Sequence, residues 1–195
     1  MSSIYRKFRP LLAAATLFPV VSGVTPAAES VNNWIANGDF TANAPAFTAY
    51  PGQITGANPA EISGWLSFGA GSGQGLNGSK TGASVGNPFG PANPGTRTYA
   101  FIQYGQGGLG QYLTLAPNTQ YRLDYDVAAR TGYTDQQYRV VIAPSDTTGM
   151  EGLYYDSGVQ MGNTANFTHV TGTFTTPATL GAKPNIQLWN VRRRK

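Results

Sequence analysis

Two carboxylates near the middle of the chain are the first residues whose spacing could support catalysis. Asp124 and Asp126 stand two positions apart in a segment that alternates between apolar and polar residues. In an extended strand such a pair lies on one face, and hydrolysis of a glycoside needs two carboxyl groups that face each other across a cleft. The polar side of an alternating strand ordinarily carries solvated carboxylates. We therefore interpret both residues as solvent-facing and keep a hydrolase as the third hypothesis.

Two glycine-rich segments match motifs of nucleophilic catalysis and dinucleotide binding without the context that either chemistry needs. The sequence GASVG at residues 82–86 fits the nucleophile pattern G-x-S-x-G, but no buried strand precedes Ser84 and no helix follows it. The sequence GQGLNG at residues 73–78 fits G-x-G-x-x-G, but lacks the strand, the helix and the distant acid. The only histidine, His169, has no matched partner. We interpret both segments as loop composition and predict a protein without catalytic residues.

Aromatic and amide side chains are the chemistry that remains. Aromatic residues make up 12% of the chain and charged residues only 11%. Sugars present flat apolar C–H faces ringed by hydroxyls, so proteins bind them with aromatic platforms beside planar hydrogen-bonding groups. The sequence QLWN at residues 187–190 sets an indole beside two amides. We predict a carbohydrate-binding surface formed by Tyr104, Arg130, Tyr133, Gln137 and Trp189, and assign Trp65, Tyr121, Tyr125 and Phe174 to the core.

β-Strands must position these side chains, because Gly and Pro are spread through the chain after the first thirty residues. Residues 120–127 alternate strictly, which predicts a strand with one wet face and one core face formed by Tyr121, Leu123, Tyr125 and Val127. Residues 116–119 carry turn chemistry. Further strands are predicted at residues 34–36, 98–104, 111–115, 138–143, 167–175 and 185–191. Residues 69–95 show no periodicity and are predicted to form a long functional or mobile loop.

The first thirty residues differ from the rest of the chain. A basic start precedes a mostly apolar run at residues 11–24 and small residues at 25–28, the pattern of an export signal. The run is too short for a membrane anchor, and no later apolar span occurs, so we predict no integral membrane span. We predict a signal peptide at residues 1–28, cleaved between residues 23 and 30, a β-sandwich domain at 29–191 and a basic tail at 192–195. Such a protein would be secreted or held at a cell surface.

Charge and cysteine content narrow the class further. Of the thirteen basic residues three lie in the predicted signal and four in the tail, which leaves six in the body against nine acids. A nucleic-acid partner is therefore not expected, since it requires a basic face on the folded part. The lack of cysteine removes disulfides and thiolate chemistry, which favours a bacterial exported protein over a small animal secreted domain. A lone histidine also argues against a zinc site.

Three motifs, in order, resemble those of the galactose-binding-like jelly rolls. They are NGDF at residues 37–40, ISGW at 62–65, and GQYLTL at 110–115 leading through PNT to YRLDYDV at 121–127. That superfamily includes many carbohydrate-binding modules of secreted hydrolases and similar domains of bacterial exported proteins. The resemblance spans residues 34–191 and implies an all-β fold, a jelly-roll sandwich of two antiparallel sheets.

Two departures from the family pattern concern calcium and the last strand. In the family an acidic residue commonly follows the opening motif and the chain closes with an Asp-Asn-Val-like strand, and these places often share a structural calcium. Here Thr41 follows Phe40, and basic residues follow Asn190 and Val191. We predict no cofactor, leave structural calcium and any other metal open, and expect the closing strand to be missing. The unpaired edge would then invite self-association.

The leading hypothesis is a secreted, extracellular, non-catalytic module that binds a polysaccharide or other glycan. The second hypothesis is a structural or adhesive protein of the cell surface or matrix that uses the same fold for protein contacts.

Overall fold

The computed structural model describes residues 2–11, 33–42, 52–54, 62–69, 74–78, 98–102, 107–130, 135–145 and 150–191. Within these ranges helical conformation is limited to Thr41 and Ala42 in a 3₁₀ turn. The strands are β1 (Ser2–Leu11), β2 (Gly52–Ile54), β3 (Leu66–Gly69), β4 (Gln74–Gly78), β5 (Thr98–Ile102), β6 (Gly107–Tyr112), β7 (Gln120–Ala129), β8 (Gln137–Ala143), β9 (Tyr155–Asp156), β10 (Gln160–Met161), β11 (Thr168–Thr175) and β12 (Asn185–Asn190).

The strands form two antiparallel six-stranded sheets. Sheet A has the order β11-β7-β1-β5-β4-β2, and sheet B has the order β10-β8-β12-β6-β3 with β9 paired to β8. Each strand pair formed by the described residues is antiparallel. The prediction of an all-β, antiparallel, helix-poor protein is confirmed.

Strand β7 supplies one wall of the core, as its alternation predicts. Its apolar residues Tyr121, Leu123, Tyr125 and Val127 are all buried. They belong to one apolar cluster with residues of sheet B, namely Leu109, Val140, Ile142, Ile186 and Leu188. Trp65 and Phe174 join the same cluster, so all four core assignments are confirmed. Because both sheets contribute to one cluster, the core lies between them, as expected for a sandwich-like packing.

Strand β1 lies in the middle of sheet A. It pairs with β7 along its whole length, from Ser2 opposite Ala129 to Leu11 opposite Gln120. Its first residues also pair with β5, and among the residues that the structure describes no other strand joins β5 to β7. The segment predicted as the start of an export signal is therefore a central strand here, and its removal on export stays a prediction.

Two predicted strands and one predicted loop have to be corrected. Residues 34–36 lie in a bend that leads to Asn37, whose φ of 47° breaks an extended chain. The strand expected at 111–115 ends at Tyr112, because the Leu113 N–H turns to the Pro184 carbonyl at 2.8 Å. Within the predicted loop at 69–95, residues 74–78 form β4, since Gln74 and Leu76 point inward opposite β5.

The turn at residues 116–119 is confirmed. Asn118 has a left-handed φ of 49°, which Asn tolerates better than most residues. The Tyr121 hydroxyl accepts the Ala116 N–H at 2.8 Å and ties the turn to β7. The other strand predictions correspond to β5, β8, β11 and β12, although residues 103 and 104 lie outside the described residues.

Candidate functional site

The side of sheet B that faces away from the core carries the most distinctive group of side chains. In β12, Ile186 and Leu188 belong to the core, so Gln187 and Trp189 stand on the opposite face. The register places Trp189 beside Gly108 of β6 and Arg139 of β8. We call this side of sheet B the outer face. Its members include Leu66, Phe68, Tyr112, Gln137, Arg139, Asp156, Gln187 and Trp189.

Two aromatic rings form the centre of the outer face. The rings of Phe68 and Trp189 meet edge to face, with centroids 4.5 Å apart and planes at 72°. The Phe68 ring lies over β6, where a Cβ on Gly108 would come within 2.5 Å of Phe68 Cζ. A side chain at position 108 would push the ring away, so glycine permits this close approach. Both rings are half-buried and keep an accessible part.

A run of hydrogen bonds along β12 fixes the indole of Trp189. Trp189 Nε1 donates to Gln187 Oε1 at 3.1 Å, and Gln187 Nε2 donates to Asn185 Oδ1 at 2.8 Å. Asn185 Nδ2 in turn donates to the carbonyls of Ser145 and Lys183. Gln187 and Asn185 are buried and engaged with each other. They therefore position the indole, and the ring surface of Trp189 is the part left to contact a ligand.

An ion pair borders the two rings. Arg139 Nε donates to Asp156 Oδ1 at 2.7 Å, and Arg139 Nη2 donates to Oδ2 at 2.6 Å, a two-pronged contact. These hydrogen bonds hold the pKa of Asp156 below its ordinary value, with a further contribution from the Gly158 N–H. The same pair raises the pKa of Arg139. Both groups are charged at neutral pH, so the pair presents polar atoms without net charge.

Two more apolar side chains extend the outer face toward solvent. Tyr112 is 49% exposed and Leu66 is 43% exposed. Lys183 Nζ lies 5.6 Å from the centroid of the Tyr112 ring, a cation–π contact. The outer face thus combines a fixed aromatic pair, an exposed phenol and an ion pair without net charge.

The predicted site residues that the structure describes divide between the two sheets. Gln137 and Trp189 lie on the outer face. Trp189 is opposite Arg139 of β8, and Gln137 stands two residues before Arg139 in the same strand, so it points to the same side. Arg130 follows the end of β7 in sheet A, where its N–H donates to Gln136 Oε1 at 2.8 Å. Tyr104 and Tyr133 lie outside the described residues.

Other residues of the outer face escaped the sequence reasoning. Phe68 and Tyr112 reach this face through the pairing of β3 with β6 and of β6 with β12, and the contact of Arg139 with Asp156 depends on register between β8 and β9. The alternation of β12 on its own points to Gln187 together with Trp189.

The two carboxylates of β7 have different surroundings. Asp124 is buried, and its Oδ1 accepts from Arg122 Nε at 3.0 Å and from Thr171 Oγ1 at 2.8 Å. The prediction of a solvated carboxylate is wrong for Asp124, because the neighbouring strand β11 places Thr171 directly opposite it. Because Arg122 and Thr171 both donate to Oδ1, Asp124 links β7 to β11.

His169 has a partner that the sequence did not reveal. Its Nδ1 lies 2.8 Å from Asp126 Oδ1, and its Nε2 lies 3.6 Å from Asp124 Oδ1. The expectation that His169 stands alone is wrong, since β11 pairs with β7 and sets it opposite Asp126. Ser84 of the G-x-S-x-G match lies outside the described residues.

The three motifs of the family resemblance meet in space. Gln111 Nε2 donates to the carbonyls of Ala36 and Gly64, at 2.9 and 2.7 Å. Trp65 Nε1 donates to the Asn37 carbonyl at 3.1 Å. Gly64 has a φ of +82°, a conformation that suits glycine and brings its carbonyl to Gln111. The motifs therefore form one junction, with Trp65 packed into the core.

The opening motif uses its acid locally. Asp39 Oδ1 accepts the Thr41 hydroxyl at 2.9 Å and the Thr41 N–H at 3.3 Å. Among the described residues no group of three or more His, Asp or Glu side chains is arranged to hold a metal ion. The same ranges contain no helix with the length and apolar character needed to span a membrane.

A scan against models of known protein families and a search of curated proteins found no match to this chain.

Proposed function

We propose that this protein is a secreted, non-catalytic carbohydrate-binding module with a galactose-binding-like jelly-roll fold, and that the outer face of sheet B holds the glycan. The observation that carries the proposal is the fixed pair of Phe68 and Trp189 on that face, bordered by the Arg139–Asp156 ion pair. An aromatic surface beside planar polar groups is the arrangement that suits a sugar ring.

Preorganisation of the indole supports binding. Trp189 is held by its hydrogen bond to Gln187 and by contact with Phe68. A side chain that is already ordered loses little conformational entropy when a ligand binds. The exposed Tyr112 widens the apolar surface along the same face.

The carboxylate of this face supports binding without turnover. Asp156 is paired at both oxygens with Arg139, and its lowered pKa keeps it ionised at neutral pH. A general acid in glycoside hydrolysis needs the opposite, a carboxyl group whose raised pKa keeps its proton. Asp156 is thus suited to hydrogen bonding with hydroxyl groups.

Fold and export rest on separate observations. Two antiparallel sheets around one core, and the junction of the three motifs at Gln111, support the jelly-roll assignment. The basic start and apolar run of the first thirty residues support export.

Glycan binding can be tested with the full chain and a matched pair of variants. Affinity electrophoresis through gels that contain soluble polysaccharides, together with a glycan array, would identify a retained ligand. Trp189→Ala should weaken retention by tenfold or more, equivalent to about 1.4 kcal/mol. His169→Ala, an exposed change on the outside of sheet A, should leave it unchanged. Absence of retention by every glycan tried would count against the proposal.

A structural or adhesive role is the second candidate, and one observation favours it. The edge strand β10 and the residue before it carry exposed apolar side chains, with Met161 58% exposed and Val159 49% exposed. Apolar residues at an open sheet edge favour contacts with another protein chain. Sedimentation that shows self-association at micromolar concentration, reversed by Met161→Lys, together with no glycan retention, would favour this role.

A further inference from the structure

Sheet A depends on a strand from the N-terminal end of the chain. Strand β1 lies between β7 and β5, with its residues in register with ten residues of β7. Without β1, the facing edges of β7 and β5 would have no neighbouring strand among the described residues. Backbone groups in a buried strand destabilise the fold when they are left without hydrogen-bond partners. The place of β1 is therefore a site that requires an extended segment.

The core-facing positions of β1 define what this site accepts. They stand opposite Leu123 and Val127, which are buried apolar residues of β7. In the chain's own strand these positions hold Phe8 and Ile4. A segment that fills the site must therefore be apolar at these alternate positions.

The middle core-facing position has a different requirement. It lies opposite Tyr125, whose side chain is buried and whose hydroxyl faces the phenols of Tyr138 and Tyr155. Burial, reinforced by the nearby phenols of Tyr138 and Tyr155, raises the pKa of Tyr125, so its hydroxyl keeps its proton. A polar partner stabilises a buried hydroxyl of this kind. In the chain's own strand this register position is occupied by Arg6.

We propose that the position between β5 and β7 is an acceptor site for an extended segment that need not be covalently attached to the domain. The segment it recognises is apolar opposite Leu123 and Val127 and capable of hydrogen bonding opposite Tyr125. Ser2–Leu11 fills the site in the intact chain. Cleavage in the predicted region, between residues 23 and 30, would detach that strand, and the site would then take a segment of the same pattern from a second protein. The inference does not depend on sugar binding.

The test uses the full chain with a site-specific protease sequence inserted between residues 12 and 32. After folding and cutting, we expect the N-terminal piece to stay bound at one copy per domain in native mass spectrometry. An added fluorescent peptide with the sequence of Ser2–Leu11 should replace it.

Two peptide variants with the same chemical change make the test specific. Phe8→Asp alters a core-facing position opposite Leu123, and Leu11→Asp alters the opposite face, across from Gln120. We expect Phe8→Asp to weaken binding by about 100-fold or more, since it sets a charge opposite the buried Leu123. Leu11→Asp should change binding by no more than about threefold.

Three results would overturn the proposal. One is that the cut domain releases its N-terminal piece and keeps the amide protection of β7 unchanged. Another is equal competition by the two variant peptides. The third concerns a domain that precipitates when it is cut. It is that excess added peptide fails to keep this domain in solution.

Discussion

The side-chain amide of Gln111 forms hydrogen bonds with both the N–H and the carbonyl of Ala36. Gln111 Oε1 accepts the Ala36 N–H at 2.8 Å, while Nε2 donates to the Ala36 carbonyl at 2.9 Å. The same Nε2 reaches the Gly64 carbonyl. One amide of sheet B thus holds two segments that precede it in the chain by 75 and 47 positions.

Replacing this amide should destabilise the whole fold. Gln111→Met keeps the length of the side chain but leaves the Ala36 and Gly64 groups without their partner. Three part-buried hydrogen bonds are lost, each worth about 0.5–1.5 kcal/mol, so we expect a loss of about 3 kcal/mol in the free energy of unfolding measured in urea. Gln120→Met, at a partly exposed position of β7, should change it by less than about 0.5 kcal/mol. Equal effects of the two changes would contradict the role assigned to Gln111.

The two glycines of β6 beneath Phe68 should respond differently to alanine. A Cβ on Gly108 would meet Phe68 Cζ at 2.5 Å and would also collide with the Leu188 carbonyl, whereas a Cβ on Gly110 would lie 3.1 Å from the Ile186 carbonyl oxygen and 3.4 Å from the Phe68 ring. Gly108→Ala should therefore cost about 2–3 kcal/mol in unfolding free energy and alter Trp189 fluorescence. Gly110→Ala should cost about 1 kcal/mol or less. A Gly108→Ala variant as stable as Gly110→Ala would show that the ring does not lie over β6.

The Arg139–Asp156 pair should give stability that depends on pH. Because the folded-state pKa of Asp156 lies below its ordinary value of 3.8, its contribution is present above that value and is lost as pH falls through the lowered pKa. Both side chains are partly exposed, so the contribution should be below about 1 kcal/mol. Urea unfolding of wild type and Arg139→Gln between pH 7 and pH 2.5 should show a difference that shrinks below pH 4.

The carboxylate itself provides the control for that series. Asp156→Asn removes the titrating group, so this variant should show the same difference from wild type at pH 7 and the same convergence in acid. If Arg139→Gln kept the whole pH dependence of the wild type, the ion pair would not be its source.

The neighbouring aspartates of β7 should differ in their effect on stability. Asp124 is buried beneath contacts with Arg122 and Thr171, whereas Asp126 is less buried and faces the exposed His169. Asp124→Asn should cost about 1–3 kcal/mol in unfolding free energy, and Asp126→Asn clearly less. The same two variants test the hydrolase hypothesis. Turnover of a chromogenic glycoside by the wild type, abolished in a folded Asp126→Asn variant, would contradict a non-catalytic role.

The predictable parts of the fold are those encoded locally. The alternation of residues 120–127 specifies β7 and its buried face, and Asn118 marks the turn before it. Strand β4 was not predicted because its glycine-rich composition is typical of a loop. Its strand character depends on pairing with β5, which buries Gln74 and Leu76. Short-range patterns cannot report such long-range pairing.

The candidate site was predictable to the same limited extent. Trp189 follows from its place beside amides in the sequence, whereas Phe68 and the Arg139–Asp156 pair enter the site through register between distant strands. Likewise, the contact of His169 with Asp126 depends on β11 lying beside β7.

Intrinsic fluorescence during titration with a retained polysaccharide tests the central claim most directly. The chain has three tryptophans, of which Trp65 is buried in the core and Trp189 lies on the outer face. We predict a saturable change in emission for wild type and for His169→Ala, and no change for Trp189→Phe. A titration curve of unchanged amplitude and midpoint in Trp189→Phe would contradict the assignment of the glycan to the outer face of sheet B.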